Sequence, residues 1–382
     1  MEKILIYSTA NNRAGAQKVI ADLAYSYRLI GNQVDIALPI FPYHRVFLSK
    51  KDYLNLIKTW LIYFLDFLKN PSFKMSEIIE GYGINIKRFF LFPSKRLLDR
   101  YDKIIVTSCY LIKDILDKDL IVKSSLYIFH PLELNHKNPE YLRPFYYKYF
   151  ENNNKLISLS QFTKDWFKEN MNLESEVLIP ALSRFYWPAP SNSSEKEYDI
   201  LINYIPTENK GQDIADNFLD YFYTKTDKKI GILLYSNAGK KLKAKLLEKY
   251  PSCEIYQNVP EREMPGLYSK YKLFLYPSRF EGFGIPPLEA ISNITIPIIF
   301  EGVGGSKYFS SKNNTIYLNE NNLLKSFEFC LEILNDNRKL TTYQNSCRNM
   351  NFSEFSPNEY ADRYNLSIAN LKIQKAKRLN NE

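Results

Sequence analysis

A short loop in the second half of the chain carries the residues whose types and spacing best suit chemistry. Glu281 and Glu289 stand on either side of it, and two glycines at 282 and 284 lie between them. Glycine lets a backbone approach a ligand closely, and Pro286–Pro287 suits the first turn of a helix. A helix N-terminus favours a phosphate, and carboxylates accept hydrogen bonds from sugar hydroxyls. The pattern therefore suits a nucleoside diphosphate sugar, although an isolated pair of glutamates could equally be solvated loop and helix residues.

Regular elements have to hold this loop at the end of a sheet. Leu273–Tyr276 is predicted to be a buried strand, which Pro277 and Ser278 end. A helix is predicted to begin near Pro286, and another strand to cover Ile296–Phe300. The glycine loop would then connect the carboxyl end of a strand to a helix.

The same alternation of strand and helix runs along the whole chain and predicts parallel sheets. In the first half, a helix is predicted over Ala16–Ile30, and strands over Lys3–Ser8, Gln33–Leu38, Lys103–Thr107, Ser125–Phe129 and Lys155–Leu159. In the second half, strands are predicted over Asp199–Asn203 and Ile230–Tyr235, and helices over Asp213–Tyr223 and Lys240–Lys249. The predicted fold class is α/β, with two Rossmann-like doubly wound domains.

The domain boundaries follow from a break in this pattern. Pro188-Ala189-Pro190 is followed by a run of serine and asparagine, which is typical of an inter-domain linker. We predict an acceptor-binding domain over 1–185, a linker over 186–197 and a nucleotide-sugar-binding domain over 198–360. The last helix, within 361–382, is expected to pack back towards the first domain. Ligands of such sheets bind at the carboxyl ends of the strands, so the site is expected in a cleft between the domains.

Length and composition fit this division. A chain of 382 residues with 45% hydrophobic and 24% charged residues suits two globular domains. The mean hydropathy is −0.34, and no apolar run reaches the roughly 18 residues of a membrane span. No secretory signal is evident. Four dispersed cysteines and three histidines predict neither a zinc site nor a disulfide framework, so we expect a cytoplasmic protein without a metal.

The net charge of +9 limits the possible partners. Nucleic acid, an anionic membrane surface or a phosphorylated substrate would each suit it. No zinc-finger spacing or RNA-binding signature is present, which disfavours nucleic acid.

The stretch from Leu267 through Tyr276-Pro277-Ser278 to Ala290 resembles family 4 of the GT-B retaining glycosyltransferases. Two glutamates separated by seven residues, in the context E-G-F-G-x-P-x-x-E-A, are the hallmark of that family, and Glu281–Ala290 has this form. Four more segments resemble the family: Ala14–Val19, Ser160–Thr163, Ile179–Pro180 and Asn209–Gly211. The resemblance implies a GT-B fold, with two Rossmann-like domains facing a central cleft.

The resemblance also implies roles for single residues. Glu289 would accept hydrogen bonds from the ribose, and Glu281 would face hydroxyls of the donor sugar. The sugar and diphosphate would be reached by the backbone N–H groups of Phe283, Gly284 and Ile285. Of the residues in this loop, Phe283, Gly284, Ile285 and Glu289 are expected to bind the donor, as is Gly15, whereas Glu281 is expected to be catalytic together with Lys210 and His130.

Three residues outside that loop complete the implied site. Lys210 would neutralise the leaving diphosphate, and Gly15 would let the N-terminal loop close over it. His130 matches a histidine near the reacting carbon, although a histidine at a strand end could equally be structural. No Asp-x-Asp motif is present, so transfer without a metal is expected, with the anomeric configuration retained. The donor would be a UDP- or GDP-linked sugar, used as a substrate, and no cofactor is expected. The acceptor would be a saccharide or a polyprenyl-linked saccharide.

Three positions depart from the family pattern. Ile205 stands where an arginine is usual, Tyr308 where a glutamate is usual, and Ser292-Asn293-Ile294 replaces a Cys-Gly pair. They leave open the alternative of an inactive GT-B subunit that scaffolds an active partner. A nucleotide-sugar epimerase or a phosphorylase could also use this architecture, but the lysine context that binds pyridoxal phosphate in phosphorylases is missing.

The segment Tyr53–Leu68 is rich in aromatic residues, contains Lys58 and is flanked by Lys50, Lys51 and Lys69. The basic pairs Lys87-Arg88 and Lys95-Arg96 follow it. Such a helix could lie in a membrane interface, peripherally on the inner face of the cell membrane. It could equally be a core helix of the first domain.

Overall fold

The protein is described by a computed structural model, which covers residues 1–8, 15–39, 79, 82–89, 93–129, 139–153, 155–187, 196–234 and 240–379. Two compact units make up the chain. The first contains Met1–Ala181 and Pro357–Glu382, and the second contains Leu182–Ser356.

The first unit is built on a sheet of seven parallel strands. They are β1 (Lys3–Tyr7), β2 (Gln33–Pro39), β3 (Asn85–Phe89), β4 (Lys103–Val106), β5 (Ser124–Ile128), β6 (Leu156–Ser158) and β7 (Glu176–Val177). Their order in the sheet is β3-β2-β1-β4-β5-β6-β7. This is the Rossmann order with one strand added at the end. Strand β1 is buried from Ile4 to Tyr7, and Ile4 and Ile6 are both 0% exposed.

The described helices of the first unit are α1 (Gly15–Leu29), α2 (Lys95–Leu98), α3 (Ile112–Asp117), α4 (Pro139–Asn152), α5 (Gln161–Met171) and α12 (Tyr360–Leu379). The chain returns to this unit in α12, which packs against α1. Buried hydroxyls fix it there: Tyr360 bonds Tyr127 at 2.6 Å, and Tyr364 bonds Ser125 at 2.8 Å. The C-terminal helix is thereby part of the first unit.

The second unit contains six parallel strands. They are β8 (Tyr198–Tyr204), β9 (Ile230–Leu234), β10 (Glu254–Gln257), β11 (Tyr271–Leu275), β12 (Ile296–Phe300) and β13 (Ile316–Leu318). Their order is β10-β9-β8-β11-β12-β13, again the Rossmann order. The described helices are α6 (Gln212–Lys225), α7 (Lys240–Lys249), α8 (Met264–Ser269), α9 (Ile285–Ser292), α10 (Leu323–Asn335) and α11 (Asn337–Arg348).

The predicted α/β fold class with two doubly wound units is confirmed. In each sheet the connection direction reverses beside the first strand, because the first and fourth strands of each unit are neighbours. In the second unit this switch point lies between β8 and β11. The connections that follow these two strands run to opposite faces of the sheet, and doubly wound sheets bind their ligands in a crevice outside the carboxyl ends of the strands at such a switch point.

Two basic pairs near the predicted membrane segment have defined places in the first unit. Lys87 lies in β3, and its ammonium is 2.7 Å from the carboxylate of buried Asp35. Lys95 and Arg96 lie in the short helix α2. Tyr53–Leu68 and its flanking lysines lie outside the described residues. Among the described helices, none has the length and apolar character needed to cross a membrane.

Candidate active site

Two loops meet at the switch point of the second sheet, and glycine is what allows them to touch. The loop after β8 ends at Gly211, whose φ of +70° is a left-handed conformation that favours glycine. A Cβ atom at Gly211 would lie 2.0 Å from the carbonyl oxygen of Pro277, in the loop after β11. Any side chain at 211 would therefore push the two loops apart.

This close approach brings Lys210 against Glu281, 71 positions later in the sequence. The Lys210 ammonium donates to Glu281 Oε1 at 2.6 Å and to the Phe280 carbonyl at 3.2 Å. The side chains are 29% and 12% exposed, respectively. The structure thus joins two predicted site residues in one ion pair at the edge of the crevice. The alternative that Glu281 is a solvated loop residue is wrong.

A third side chain completes the surroundings of the Glu281 carboxylate. The Tyr276 hydroxyl donates to Glu281 Oε1 at 2.7 Å, so both donors use the same oxygen. Tyr276 is the first residue after β11 and is only 6% exposed. The sequence pattern predicts only a strand residue at this position. A tyrosine directly before the Pro-Ser turn is the signal that could have indicated its contact with Glu281.

The helix that follows the glycine loop begins at Ile285, with Gly284 as its N-cap residue at φ +93°. The first N–H groups of a helix have no intrahelical acceptor. Because Pro286 and Pro287 carry no N–H, the donors of this first turn are those of Ile285 and Leu288. A Cβ atom at Gly284 would meet only the Phe309 ring, at 3.8 Å, so the space beside Gly284 is open.

A second pair of glycines packs closely against the loop that carries Glu281 and Phe283. Gly304 and Gly305 follow β12. A Cβ atom on Gly304 would lie 2.8 Å from the Glu281 carbonyl oxygen, and one on Gly305 would lie 2.1 Å from the Phe283 ring. The Gly305 N–H donates to the Phe283 carbonyl at 2.9 Å. Tyr308, which replaces the usual glutamate, lies nearly parallel to the Phe283 ring at 6.0 Å. At this position the chain therefore has an aromatic contact in place of a carboxylate.

Glu289 lies inside the second unit, with 0% of its surface exposed. The Tyr268 hydroxyl is 3.4 Å from Glu289 Oε2. The Glu289 carbonyl accepts hydrogen bonds from the side chains of Ser292 and Asn293, both at 2.8 Å, which end the helix. The alternative that Glu289 is a solvated helix residue is therefore wrong as well.

Arg279 ties together the loops around the site. Its guanidinium donates to both carboxylate oxygens of Asp213, at 2.7 and 2.8 Å. Nε donates to Glu320 at 2.7 Å, and Nη1 donates to the Glu208 carbonyl at 3.1 Å. The hydrogen bonds from Arg279 lower the pKa of Asp213. No local motif in the sequence marks Arg279, because its partners are dispersed along the chain.

The remaining predicted site residues belong to the first unit. Gly15 is the first residue of α1 and is exposed. His130 lies outside the described residues. In the described part of the chain, no group of three His, Cys, Asp or Glu side chains is arranged to hold a metal ion. The four cysteines, Cys109, Cys253, Cys330 and Cys347, are buried and unbridged.

Comparison with known proteins finds a recognised family over the part of the chain that contains Tyr276, Glu281 and Glu289. Residues 235–346 match the sequence model of the family Glycosyl transferases group 1. A 45-residue stretch is 44% identical to the O-antigen chain mannosyltransferase B of Escherichia coli, and the match covers 12% of each chain.

Solved structures extend the likeness to the whole chain. HepE of Anabaena in complex with UDP and glucose is 14% identical, with a TM-score of 0.66, over 100% of both chains. Sucrose-phosphate synthase of Thermosynechococcus elongatus is 12% identical, with a TM-score of 0.61, over 100% of this chain and 99% of that one. The chain therefore carries a glycosyl transferases group 1 domain, and its fold is that of the GT-B glycosyltransferases.

Proposed function

We propose that the chain is a retaining glycosyltransferase of family 4, which transfers a sugar from a UDP- or GDP-linked donor without a metal ion. One observation carries this proposal. The Lys210 ammonium and the Glu281 carboxylate meet 2.6 Å apart beside the glycine loop that opens α9. A donor of this class presents a diphosphate and sugar hydroxyls side by side, which are the groups that a cation and a carboxylate recognise.

Each part of the site has a role in this proposal. Glu281 accepts hydrogen bonds from hydroxyls of the donor sugar, and Glu289 accepts them from the ribose. The backbone N–H groups of Phe283, Gly284 and Ile285 contact the sugar and the diphosphate. The open space beside Gly284 supports this assignment, since a ligand can reach the backbone there.

The reaction separates charge, and the site is built to stabilise it. The bond between the anomeric carbon and the diphosphate breaks, the diphosphate departs with the bonding electron pair, and the carbon becomes oxocarbenium-like. Lys210 and the N-terminus of α9 stabilise the departing negative charge electrostatically. The acceptor oxygen bonds to the anomeric carbon on the face that the diphosphate leaves, and its proton passes to the departing diphosphate, so the configuration is retained. Gly15 and His130 are proposed to approach the diphosphate and the reacting carbon, respectively.

For the acceptor, we propose a saccharide or a polyprenyl-linked saccharide in the synthesis of a bacterial surface polysaccharide or glycolipid. The local identity with an O-antigen chain mannosyltransferase supports this class.

We further propose that the basic, aromatic segment 53–68 holds the protein at the inner face of the cell membrane. Flotation with anionic vesicles tests this: wild type should float, and Lys50, Lys51 and Lys58 changed together to Glu should float less. Binding that does not depend on these charges would favour a core helix instead.

The activity is tested by titration calorimetry and donor hydrolysis. UDP or GDP should bind the purified chain with the same affinity in the presence and absence of EDTA, and the matching nucleotide-sugar should be hydrolysed slowly. Lys210→Met should weaken diphosphate binding on the order of 10-fold or more, because it removes a charged hydrogen bond. Binding abolished by EDTA would overturn the metal-free assignment. Nucleotide binding without hydrolysis or transfer from any donor would favour the inactive GT-B subunit.

A further inference from the structure

Tyr276 is held rigidly at the edge of the crevice. Its N–H donates to the Ile298 carbonyl at 2.9 Å, which continues the pairing of β11 with β12 by one residue. Its ring packs against buried Phe274, with ring centroids 6.0 Å apart. A tyrosine fixed at its backbone and ring presents its hydroxyl at a defined point.

That point is one particular oxygen of Glu281. The Tyr276 hydroxyl and the Lys210 ammonium both donate to Oε1, at 2.7 and 2.6 Å. Oε2 receives no hydrogen bond from any described residue. The carboxylate is therefore anchored through one oxygen, and the other remains available as an acceptor.

Donor binding places conflicting demands on Lys210. In the proposed function, the same ammonium that pairs with Glu281 has to neutralise the diphosphate. When it turns to the diphosphate, the Glu281 carboxylate loses its charged partner. A carboxylate held by no other group would then rotate or follow the ammonium, and its geometry towards the sugar would be lost.

We propose that Tyr276 is a positioning residue, which holds Glu281 Oε1 while Lys210 moves to the diphosphate and so keeps Oε2 directed at a hydroxyl of the donor sugar. This inference rests on the proposed function. It assigns to Tyr276 an effect on the bound sugar and none on the nucleotide.

The test uses Tyr276→Phe, which removes only the hydroxyl. Tyr204→Phe is the matched control, since the Tyr204 hydroxyl donates to the Asp216 carboxylate at 2.8 Å and Tyr204 is also buried in this unit. We expect Tyr276→Phe to lower kcat about 10- to 100-fold, the usual effect of losing a hydrogen bond to a charged group. Affinity for the bare nucleoside diphosphate should stay within about 2-fold, because that ligand has no sugar. Tyr204→Phe should leave both quantities near wild type.

A second comparison separates positioning from a general effect on folding. In a Glu281→Gln background, Tyr276→Phe should cost much less than in wild type, because two residues that act through one contact are non-additive. A kcat for Tyr276→Phe equal to that of Tyr204→Phe would overturn the inference, and so would full additivity with Glu281→Gln. If wild type itself transfers and hydrolyses no donor, the proposed function fails. If wild type is active and Tyr276→Phe is equally active, only the role of Tyr276 fails.

Discussion

The ion pair between Lys210 and Glu281 joins two loops of the site, and it is weak enough for another anion to replace the Glu281 carboxylate. Both side chains are partly exposed, and ion pairs near the surface contribute about 1 kcal/mol or less to stability. A diphosphate carries more negative charge than one carboxylate. In the proposed function it can therefore compete with the Glu281 carboxylate for the Lys210 ammonium.

Substitutions of the two glutamates of the site are expected to change different kinetic constants. Glu289→Gln should mainly raise KM for the donor, because the ribose contact is the same in the ground and transition states. Glu281→Ala should mainly lower kcat, since charge develops at the sugar. It should also leave affinity for the bare diphosphate unchanged or higher, because Lys210 loses its competing carboxylate. Steady-state kinetics and calorimetry with the bare diphosphate check both variants.

The control for these two variants is the stability of their fold. Glu289 is fully buried, so the isosteric glutamine is used and its melting temperature should be compared with wild type. If Glu281→Ala loses affinity for the bare diphosphate while Glu289→Gln keeps it, the two assigned roles are reversed or wrong.

Single residues of the site could be predicted from the sequence only where a local motif marks them. The glycine-rich context singled out Glu281 and Glu289, and the Lys-Gly pair singled out Lys210. The contact between Lys210 and Glu281 could not be predicted from one sequence, because it depends on two loops meeting across 71 positions. The contacts of Tyr276 and Arg279 could not be predicted for the same reason, because they depend on partners from other parts of the chain.

Between elements, Arg279 acts as a connection among three loops. It bonds Glu208 before α6, Asp213 in the first turn of α6, and Glu320 after β13. A bidentate pair between a guanidinium and a carboxylate has a fixed geometry. Arg279 thereby sets the position of the loop that carries Lys210 relative to the loop that carries Glu281.

Loss of this connection should weaken donor binding more than it weakens the fold. Arg279→Lys keeps the charge but cannot form the two-pronged contact with Asp213. We expect KM for the donor to rise about 5- to 10-fold with a melting temperature close to wild type. Arg262→Lys is the control, because Arg262 is exposed and its ion pair is with the adjacent Glu263, away from the site. Equal kinetics in the two variants would show that the Arg279 contact does not position the site.

The elements were more predictable than the contacts between them. The strand over Ile296–Phe300 and the helix over Lys240–Lys249 have the predicted bounds. Four strands were missed, namely Asn85–Phe89, Glu176–Val177, Glu254–Gln257 and Ile316–Leu318. All four are edge strands of their sheets. Such strands are short or half-solvated, so they lack the continuous apolar run that marks a buried parallel strand.

At the scale of the whole molecule, the two units share the Rossmann strand order, with one extra strand in the first. They differ in the number of chain segments that build them. The first unit recruits the C-terminal helix α12, whereas the second is continuous over Leu182–Ser356. The corresponding boundaries predicted from the sequence are 185, 198 and 360. Most of the predicted linker, residues 188–195, lies outside the described residues. The unit to which each flanking residue belongs depends on packing, which composition does not indicate.

One buried cation lies where the chain enters the second sheet. Lys196 is 8% exposed and precedes β8. Its ammonium donates to the carbonyls of Ser269 and Asn293, both at 3.1 Å, and to the Thr295 hydroxyl at 3.0 Å. The carbonyls belong to the C-terminal ends of α8 and α9, where positive charge is favourable. Burial nevertheless lowers the pKa of Lys196 to about 7.

This depressed pKa predicts how the stability of the second unit depends on pH. Between about pH 7 and pH 10, Lys196 has lost its proton in the folded state but keeps it in the unfolded state. The unfolded state then binds more protons, so the free energy of unfolding rises with pH. At about 1.4 kcal/mol per pKa unit, we expect a rise on the order of 2–4 kcal/mol, measured by urea unfolding across this range. Lys196→Met should remove the rise, and Lys325→Met, at an exposed position, should keep it. A flat profile in wild type, or the same rise in Lys196→Met, would show that the Lys196 ammonium stays charged in the folded protein.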